Sequence, residues 1–213
     1  MHIGVFDSGV GGRAVAVKLQ ELLPDTKIIS VDDHDRVPYG DRAPEDIIML
    51  TKDAIAPLLE LGCGIIVIAC NTATTIALST LRETYPAINF IGVEPMIKPA
   101  AKVTKTGIVA VLATPRTLQS NRYSELKQTW AKDITVLEPN CSDWAKLIES
   151  GNADEIDVEL VVKSLVEQNV DVIVLGCTHY HLIKQRVLDV ARRNITVSEP
   201  TNAIASRIKS MLS

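Results

Sequence analysis

The 213-residue sequence has no long apolar run and no long run of charges of one sign. No segment approaches the roughly 20 apolar residues that a membrane-spanning helix needs. The formal net charge is only −4 and the pI is near 5.6, which gives no electrostatic footprint for nucleic acid or an anionic membrane. No basic stretch followed by an apolar one precedes the first strand-like segment, so we expect no secretory signal. These absences predict a cytoplasmic protein that acts on a small molecule.

Cysteine is scarce, with residues at positions 63, 70, 141 and 177. No two of them have the CxxC spacing of structural zinc sites. The chain is 46% hydrophobic, which suffices for a packed core without disulfides. We therefore predict reduced thiols, with Cys63 a structural residue in a helix-to-strand connection.

Strand-like runs alternate with helical periodicity along the chain. The strand-like runs cover residues 2–6, 27–31, 64–69, 89–93, 107–112, 134–137, 172–176 and 195–197. Segments with helical periodicity cover residues 13–23, 45–61, 72–84, 118–130 and 156–168. The alternation predicts an α/β fold of mostly parallel sheets flanked by helices. In such folds ligands bind at the carboxyl ends of the strands.

The two halves of the chain resemble each other. Residues 65–74 and 172–181 both consist of an apolar run, a small residue, a cysteine and polar residues. Prolines 95 and 99 mark a boundary after Val93. We predict two pseudo-symmetric domains with the site in the cleft between them: residues 1–95 with about 192–213, and about 96–191. The final strand and helix are expected to return to the first half.

A glycine-rich turn follows the first strand, in Asp7-Ser8-Gly9-Val10-Gly11-Gly12. It lacks the lysine of a phosphate loop and the GxGxxG spacing of a dinucleotide site. Two interpretations stay open: a tight turn closed by an aspartate cap, or an acid that holds a substrate ammonium group or activates a thiol. The segment Asp35–Gly40 is similarly either a plain loop or a binding loop.

Cys70 and Cys177 each end an apolar run and are followed by Asn71-Thr72 and Thr178-His179. A helix beginning there points its first N–H groups towards the sulfur and lowers a thiol pKa from about 8.5 towards neutrality. Two such thiols facing one small anion provide the opposed proton carriers that a racemase requires. The alternative is that both are buried structural cysteines.

His181 supports a different hypothesis. Cys177, His179 and His181 alternate, so an extended strand would point all three to one side, as in a metal site of a lyase or hydrolase. A helix that begins at Thr178 or His179 would remove this alignment.

Four ordered motifs carry a family resemblance. They are the turn 7–12, Arg36-Val37-Pro38-Tyr39-Gly40, Cys70-Asn71-Thr72-Ala73-Thr74 and Gly176-Cys177-Thr178-His179-Tyr180. From Ile3 to about Ile183 the chain resembles the glutamate racemases of the aspartate/glutamate racemase superfamily. The resemblance implies interconversion of L- and D-glutamate without a cofactor or metal, a supply of D-glutamate for peptidoglycan, and a homodimer.

The resemblance also implies residue roles. Cys70 and Cys177 would be the acid/base thiols, assisted by Asp7 and His179 respectively. Glu149, locally an ordinary surface carboxylate on a helix, would assist as well. The implied substrate-binding residues are Asp7, Ser8, Tyr39, Gly40, Asn71, Thr72, Thr114, Thr117, Thr178 and His179.

Three departures from the family pattern bear on substrate choice. His181 replaces a proline, Cys141-Ser142-Asp143 replaces a cysteine-proline start, and the chain is shorter around residues 192–194 and at its end. One alternative is therefore a racemase for aspartate or for several acidic amino acids. Another is a non-catalytic homologue that binds an amino acid.

Overall fold

The computed structural model describes residues 2–191 and 195–212 and has the predicted α/β class. Its contacts divide the chain into two units. The first unit contains the residues up to Glu94 and those from Pro200 onward, and the second runs from Pro95 to Glu199. The boundary predicted near residue 192 lies outside the described residues. None of the described helices is long and apolar enough to cross a membrane.

The first unit is a sheet of parallel strands that alternate with helices. Its elements are β1 (His2–Asp7), α1 (Gly11–Leu22), β2 (Lys27–Asp32), α2 (Pro44–Glu60), β3 (Cys63–Ile68), α3 (Asn71–Thr84) and β4 (Asn89–Gly92). The strand order is β2-β1-β3-β4, with parallel pairing throughout. Because β1 and β3 are parallel neighbours, their carboxyl ends lie at the same edge of the sheet.

Both faces of the first sheet are covered because its central strands are apolar on both sides. In β3, Ile65 and Val67 belong to the core that contains Leu19 of α1. Ile66 and Ile68 belong to the core on the side of α2. Parallel strands buried on both faces have continuous apolar runs without polar alternation. Each fully buried side chain of this size contributes about 1.5–3 kcal/mol to folding.

The second unit repeats this arrangement. Its elements are α4 (Ile97–Val103), β5 (Ile108–Ala113), α5 (Pro115–Leu118), α6 (Asn121–Trp130), β6 (Thr135–Leu137), α7 (Trp144–Glu149), α8 (Val158–Glu167), β7 (Val172–Gly176), α9 (Lys184–Ala191) and β8 (Thr196–Ser198). The strand order β6-β5-β7-β8 matches that of the first sheet, and β5 and β7 take the central places. The similarity between the two cysteine segments thus corresponds to two parallel sheets of equal strand order.

The final strand corrects one prediction. The sequence placed it with the first half, but β8 pairs with β7 in the second sheet. Ile195, just before β8, is buried in the apolar core of the second unit. The final strand lies in the second unit because Ile195 is buried there and because its backbone pairs with the open edge of β7. The following helix, α10 (Thr201–Leu212), lies in the first unit, where Ile204 and Ile208 pack in the core shared with α1.

Two predicted helix boundaries also differ. The predicted helix 118–130 is split between α5 and α6, because the Ser120 hydroxyl accepts a hydrogen bond from the Tyr123 N–H at 3.1 Å and caps a new helix. The prolines at 95 and 99 were expected to interrupt regular structure, yet α4 contains Pro99. Pro99 lies in the first turn, where a backbone N–H has no partner within the helix, so its loss costs little.

Candidate functional site

Polar side chains follow β1 and β3 where these neighbouring strands end. Asp7 is the last residue of β1 and Ser8 comes next, while Cys70 and Asn71 follow β3. All four are at most 5% exposed. In the first unit, the predicted site residues of these two segments therefore form one buried group at the carboxyl edge of the sheet, as the topology of parallel sheets requires.

The Cys70 sulfur accepts hydrogen bonds from the start of α3 and from Ser8. It is the N-cap residue of α3, and its Sγ accepts from the backbone N–H of Ala73 at 3.4 Å. The Ser8 hydroxyl also donates to Cys70 Sγ, at 3.2 Å. Donors directed at sulfur favour the thiolate over the thiol, as does the positive end of the helix dipole. The contact predicted between this thiol and the start of a helix is present.

The first of the two interpretations of the glycine-rich turn, an aspartate cap, is present at Asp7. Its Oδ1 accepts a hydrogen bond from the Gly9 N–H at 3.0 Å, so the predicted aspartate cap exists. The same carboxylate is 1% exposed, beside Ser8. Position 12 requires glycine, because a Cβ there would lie 2.2 Å from Asp7 Cβ. The turn therefore lets α1 begin directly against a buried acid.

Asn71 and Thr72 form the first turn of α3 and are buried, each 3% exposed. Within the described part of the chain, neither Oδ1 nor Nδ2 of Asn71 has a hydrogen-bond partner. Leaving a buried amide unpaired costs about 1–3 kcal/mol for each polar group. Such a group beside a thiol is suited to pair with a polar ligand.

The loop after β2 carries Tyr39 and Gly40 in a short 3-10 helix, Tyr39–Asp41. The Tyr39 hydroxyl donates to Asp33 Oδ2 at 2.5 Å, and Arg36 Nε donates to Asp33 Oδ1 at 2.7 Å. Burial, the hydrogen bond to Asp33 and the nearby charges of Asp33 and Cys70 raise the pKa of Tyr39 above its ordinary value. The phenol therefore stays protonated.

Sequence reasoning missed Asp33. It comes directly after β2, and its N–H bonds to the carbonyl of Asp7 at 3.2 Å, at the edge where the other candidates lie. The rule that polar residues at strand ends gather at one edge would have found it.

The thiol of the second unit has different surroundings. Cys177 follows β7 in an extended conformation, and a 3-10 helix, Thr178–Ile183, begins after it. Within the part of the chain that the structure describes, the Cys177 side chain makes no capping hydrogen bond to this 3-10 helix. The two cysteines thus share a topological position but not a hydrogen-bonding environment.

Cys177 instead has an imidazole neighbour. His179 Nδ1 lies 3.6 Å from Cys177 Sγ, and His179 Nε2 contacts Glu149 Oε2. The side chains of His179 and Glu149 are only 4% and 8% exposed. The interpretation of Glu149 as a surface carboxylate was wrong, because α7 packs on the 3-10 helix and turns this residue inwards. The resulting thiol, imidazole and carboxylate form a chain that can hold and move a proton.

Cys141 lies behind this group. The Tyr180 hydroxyl donates to the Cys141 carbonyl at 2.8 Å, and the Tyr180 ring meets Trp144 edge-on at 5.4 Å between centroids. Burial and the charge of Cys177 raise the pKa of the Cys141 thiol to about 12. The Cys141 thiol therefore stays protonated near neutral pH, beside the candidate site.

Three buried threonines complete the second group. Thr114 follows β5 and caps α5, accepting from the Thr117 N–H at 3.3 Å. The Thr114 hydroxyl donates to Thr117 Oγ1 at 3.0 Å. Thr178 is 1% exposed at the start of the 3-10 helix. Because β5 and β7 are neighbours, these hydroxyls lie at the carboxyl edge of the second sheet with Cys177.

The metal hypothesis loses its geometric basis. The 3-10 helix begins at Thr178, so Cys177, His179 and His181 do not alternate along one strand. Burial lowers the pKa of His181, although the charge of Glu199 opposes the shift. Among residues 2–191 and 195–212, no cluster of three His, Cys, Asp or Glu side chains is suited to a metal.

The sequence also matches known proteins over most of its length. Residues 13–208 match the model of the Asp/Glu/Hydantoin racemase family. A glutamate racemase of Herpetosiphon aurantiacus is 40% identical over 214 residues, covering 99% of this chain and 84% of that protein.

Two crystal structures resemble the whole chain. Glutamate racemase of Escherichia coli, in complex with L-glutamate and the activator UDP-MurNAc-Ala, has a TM-score of 0.87 at 30% identity, covering 99% of this chain and 82% of that one. Glutamate racemase of Francisella tularensis, in complex with D-glutamate, has a TM-score of 0.82 at 31% identity, with coverages of 99% and 80%. The chain belongs to the Asp/Glu/Hydantoin racemase family.

Proposed function

We propose that this chain interconverts L- and D-glutamate without a cofactor, with Cys70 and Cys177 as the two acid/base groups. The two units are taken as the two domains, and each contributes one thiol. The proposal extends to the setting that the family implies, a cytoplasmic homodimer that supplies D-glutamate for peptidoglycan.

The observation that carries the proposal is the unpaired amide of Asn71 beside the Cys70 thiol. Asn71 is 3% exposed, and its oxygen and nitrogen both lack partners among the described residues. An α-amino acid offers a carboxylate acceptor and an ammonium donor that can satisfy both atoms. The N-terminus of α3 adds backbone donors and a favourable dipole for the carboxylate.

The proton transfer uses the two sulfurs in turn. In one direction the Cys70 thiolate accepts the α-proton of glutamate, and the electron pair of the broken C–H bond stays on the substrate. Cys177 then donates its S–H proton to the opposite face of the same carbon. Each turnover leaves the proton on the other sulfur, and the reverse reaction starts from that state.

The α-proton of an amino acid is very weakly acidic, which makes its removal the most difficult step of the reaction. The remaining residues are proposed to assist this step. Fixed donors must stabilise negative charge as it develops near the carboxylate. Asn71, Thr72 and the threonines of the second group are neutral donors for this purpose. Asp7 is proposed to assist Cys70, and His179 to assist Cys177. Glu149 acts through His179, by orienting its ring.

Glutamate is preferred as substrate because relatives of about one-third identity were crystallised with its two enantiomers. Aspartate has the same α-amino acid head and is shorter by one methylene. A pocket discriminates such a difference by only about 1–3 kcal/mol. Acceptance of aspartate is therefore an outcome that the test must measure.

The test incubates the purified protein with each enantiomer of glutamate and aspartate in deuterium oxide. Loss of the α-proton signal and the change in optical rotation report exchange and racemisation. Cys70→Ala and Cys177→Ala are expected to abolish racemisation, with Cys63→Ala as a matched control at a buried cysteine outside the site. Full activity in either site variant contradicts the two-thiol mechanism. Tight glutamate binding without exchange would favour the non-catalytic homologue.

A further inference from the structure

Ser8 has a contact that a role in substrate binding does not explain. Its hydroxyl carries one proton, and in the structure that proton is donated to Cys70 Sγ at 3.2 Å. Both residues are buried, at 3% and 5% exposure, so water does not compete for this bond. The backbone N–H of Ala73 approaches the same sulfur from α3 at 3.4 Å. The sulfur thus faces donors from both Ser8 and the start of α3.

The second unit has a hydroxyl at the matching place, and this hydroxyl bonds to a neighbouring threonine. Ser8 follows β1, and Thr114 follows β5, the corresponding central strand. The Thr114 hydroxyl donates to Thr117 Oγ1. Among the described residues, the hydrogen-bonding neighbour of the Cys177 sulfur is Nδ1 of His179. The two sulfurs therefore have equal positions in the sheet topology but different hydrogen-bonding neighbours.

We propose that Ser8 is a catalytic hydrogen-bond donor that stabilises the thiolate form of Cys70 selectively, so that the resting protein keeps its base at Cys70. The inference rests on the proposed function for the role of Cys70 and goes beyond it in assigning a resting proton distribution. A hydrogen bond to a charged acceptor is roughly twice as strong as a neutral one, so the bond favours the thiolate. Cys177 depends instead on the imidazole of His179, which can either donate or accept a proton.

Comparing the rates in the two directions does not test this inference. The enantiomers have equal free energy, so kcat/KM must be equal in both directions for every variant. A difference between Cys70 and Cys177 in the resting protein appears instead as a difference in the protonation of the two sulfurs. That protonation can be followed without turnover.

The experiment measures alkylation of the full chain by iodoacetamide as a function of pH, with peptide mass spectrometry to resolve Cys70 from Cys177. Ser8→Ala is expected to move the Cys70 midpoint up by about one pH unit, roughly a tenfold loss of thiolate at neutral pH, and to leave the Cys177 midpoint in place. Ser8→Thr keeps the hydroxyl and should retain the wild-type midpoint. Thr51→Val is the matched control, because it removes a buried hydroxyl that bonds to the Ile47 carbonyl.

Thiolate ultraviolet absorbance, compared with and without Cys70→Ala, gives a second titration if alkylation of the buried sulfur is slow. A Cys70 midpoint that stays within about 0.3 unit in Ser8→Ala overturns the inference. Equal shifts at both cysteines, or a shift in Thr51→Val, also overturn it. Because the titration needs no turnover, a racemase without the shift contradicts only the role of Ser8. A selective shift in a protein without racemase activity contradicts only the proposed function.

Discussion

Tyr39 and Asp33 are joined by a hydrogen bond of 2.5 Å from the phenol to the carboxylate, and Arg36 occupies the other carboxylate oxygen. Asp33 is 7% exposed, so this bond replaces water for a buried charge. The phenol proton is committed to Asp33 and is not available to a ligand. We therefore expect the loop to hold substrate through the backbone of Tyr39 and Gly40.

Tyr39→Phe is expected to lower the free energy of unfolding by about 1–3 kcal/mol, because it leaves one oxygen of a buried carboxylate without its donor. Urea denaturation measures the change. Adding Asp33→Asn should make the two effects non-additive, since the substitutions remove the same bond. Tyr85→Phe, at the end of α3, is the control. An equal loss in both phenylalanine variants would show that Asp33 is not the cause.

Glu149→Gln is expected to lower kcat by about 100-fold with little change in stability, because the neutral amide orients His179 less well and disfavours the imidazolium. Since the imidazolium then forms only at lower pH, the basic limb of the pH profile of kcat, where this cation is lost, should move to lower pH. Steady-state kinetics across pH tests both points. Glu155→Gln, at an exposed carboxylate, should match wild type. An unchanged pH profile in Glu149→Gln would contradict the proton-holding chain.

Asn71→Leu is expected to separate stability from activity. The substitution has a similar volume and removes two buried polar atoms that lack partners in the described structure. The unfolding free energy should therefore stay equal or rise by about 1 kcal/mol, while kcat/KM falls by about 100-fold or more. Urea denaturation and racemase assays give the two readouts. Asn121→Leu is the exposed control. A large loss of stability in Asn71→Leu would mean that the amide has a structural role.

Asp171 connects the start of β7 to the turn before β5. Its carboxylate accepts from Thr104 Oγ1 at 2.6 Å and from the N–H groups of Lys105 and Thr106 at 2.5 and 3.1 Å. Partial burial raises the pKa of Asp171, but these hydrogen bonds outweigh it, and the pKa lies below its ordinary value of 3.8.

A lowered folded pKa gives a contribution to stability that is present above the unfolded pKa and is lost as pH falls through the folded pKa. Asp171→Asn is therefore expected to destabilise by about 1 kcal/mol at neutral pH, and the difference should shrink as the pH falls below the ordinary value of 3.8. Urea titrations at several pH values measure it. Asp154→Asn, at an exposed position, should follow wild type throughout. A difference that persists at low pH would contradict a role for the charge.

Much of the fold follows from local pattern. Continuous apolar runs such as 65–68 are typical of strands buried on both faces of a parallel sheet, which is why strand positions were predicted within one or two residues. The split at Ser120 and the helix containing Pro99 depend on which N–H finds a partner. These alternative helix boundaries differ by only about 1 kcal/mol in free energy, and the hydrophobic periodicity of the sequence does not distinguish them.

The sequence by itself determined the α/β class, the parallel strands and the placement of Asp7, Cys70 and Cys177 at strand ends, because these depend on burial period and chain direction. Tertiary structure decided the rest. It turned Glu149 inwards to His179, paired β8 with β7, and directed the Ser8 hydroxyl to one thiol while Thr114 bonds to Thr117. Each of these outcomes depends on contacts between residues distant in sequence or on the rotamer of a hydroxyl, and a one-dimensional pattern contains neither.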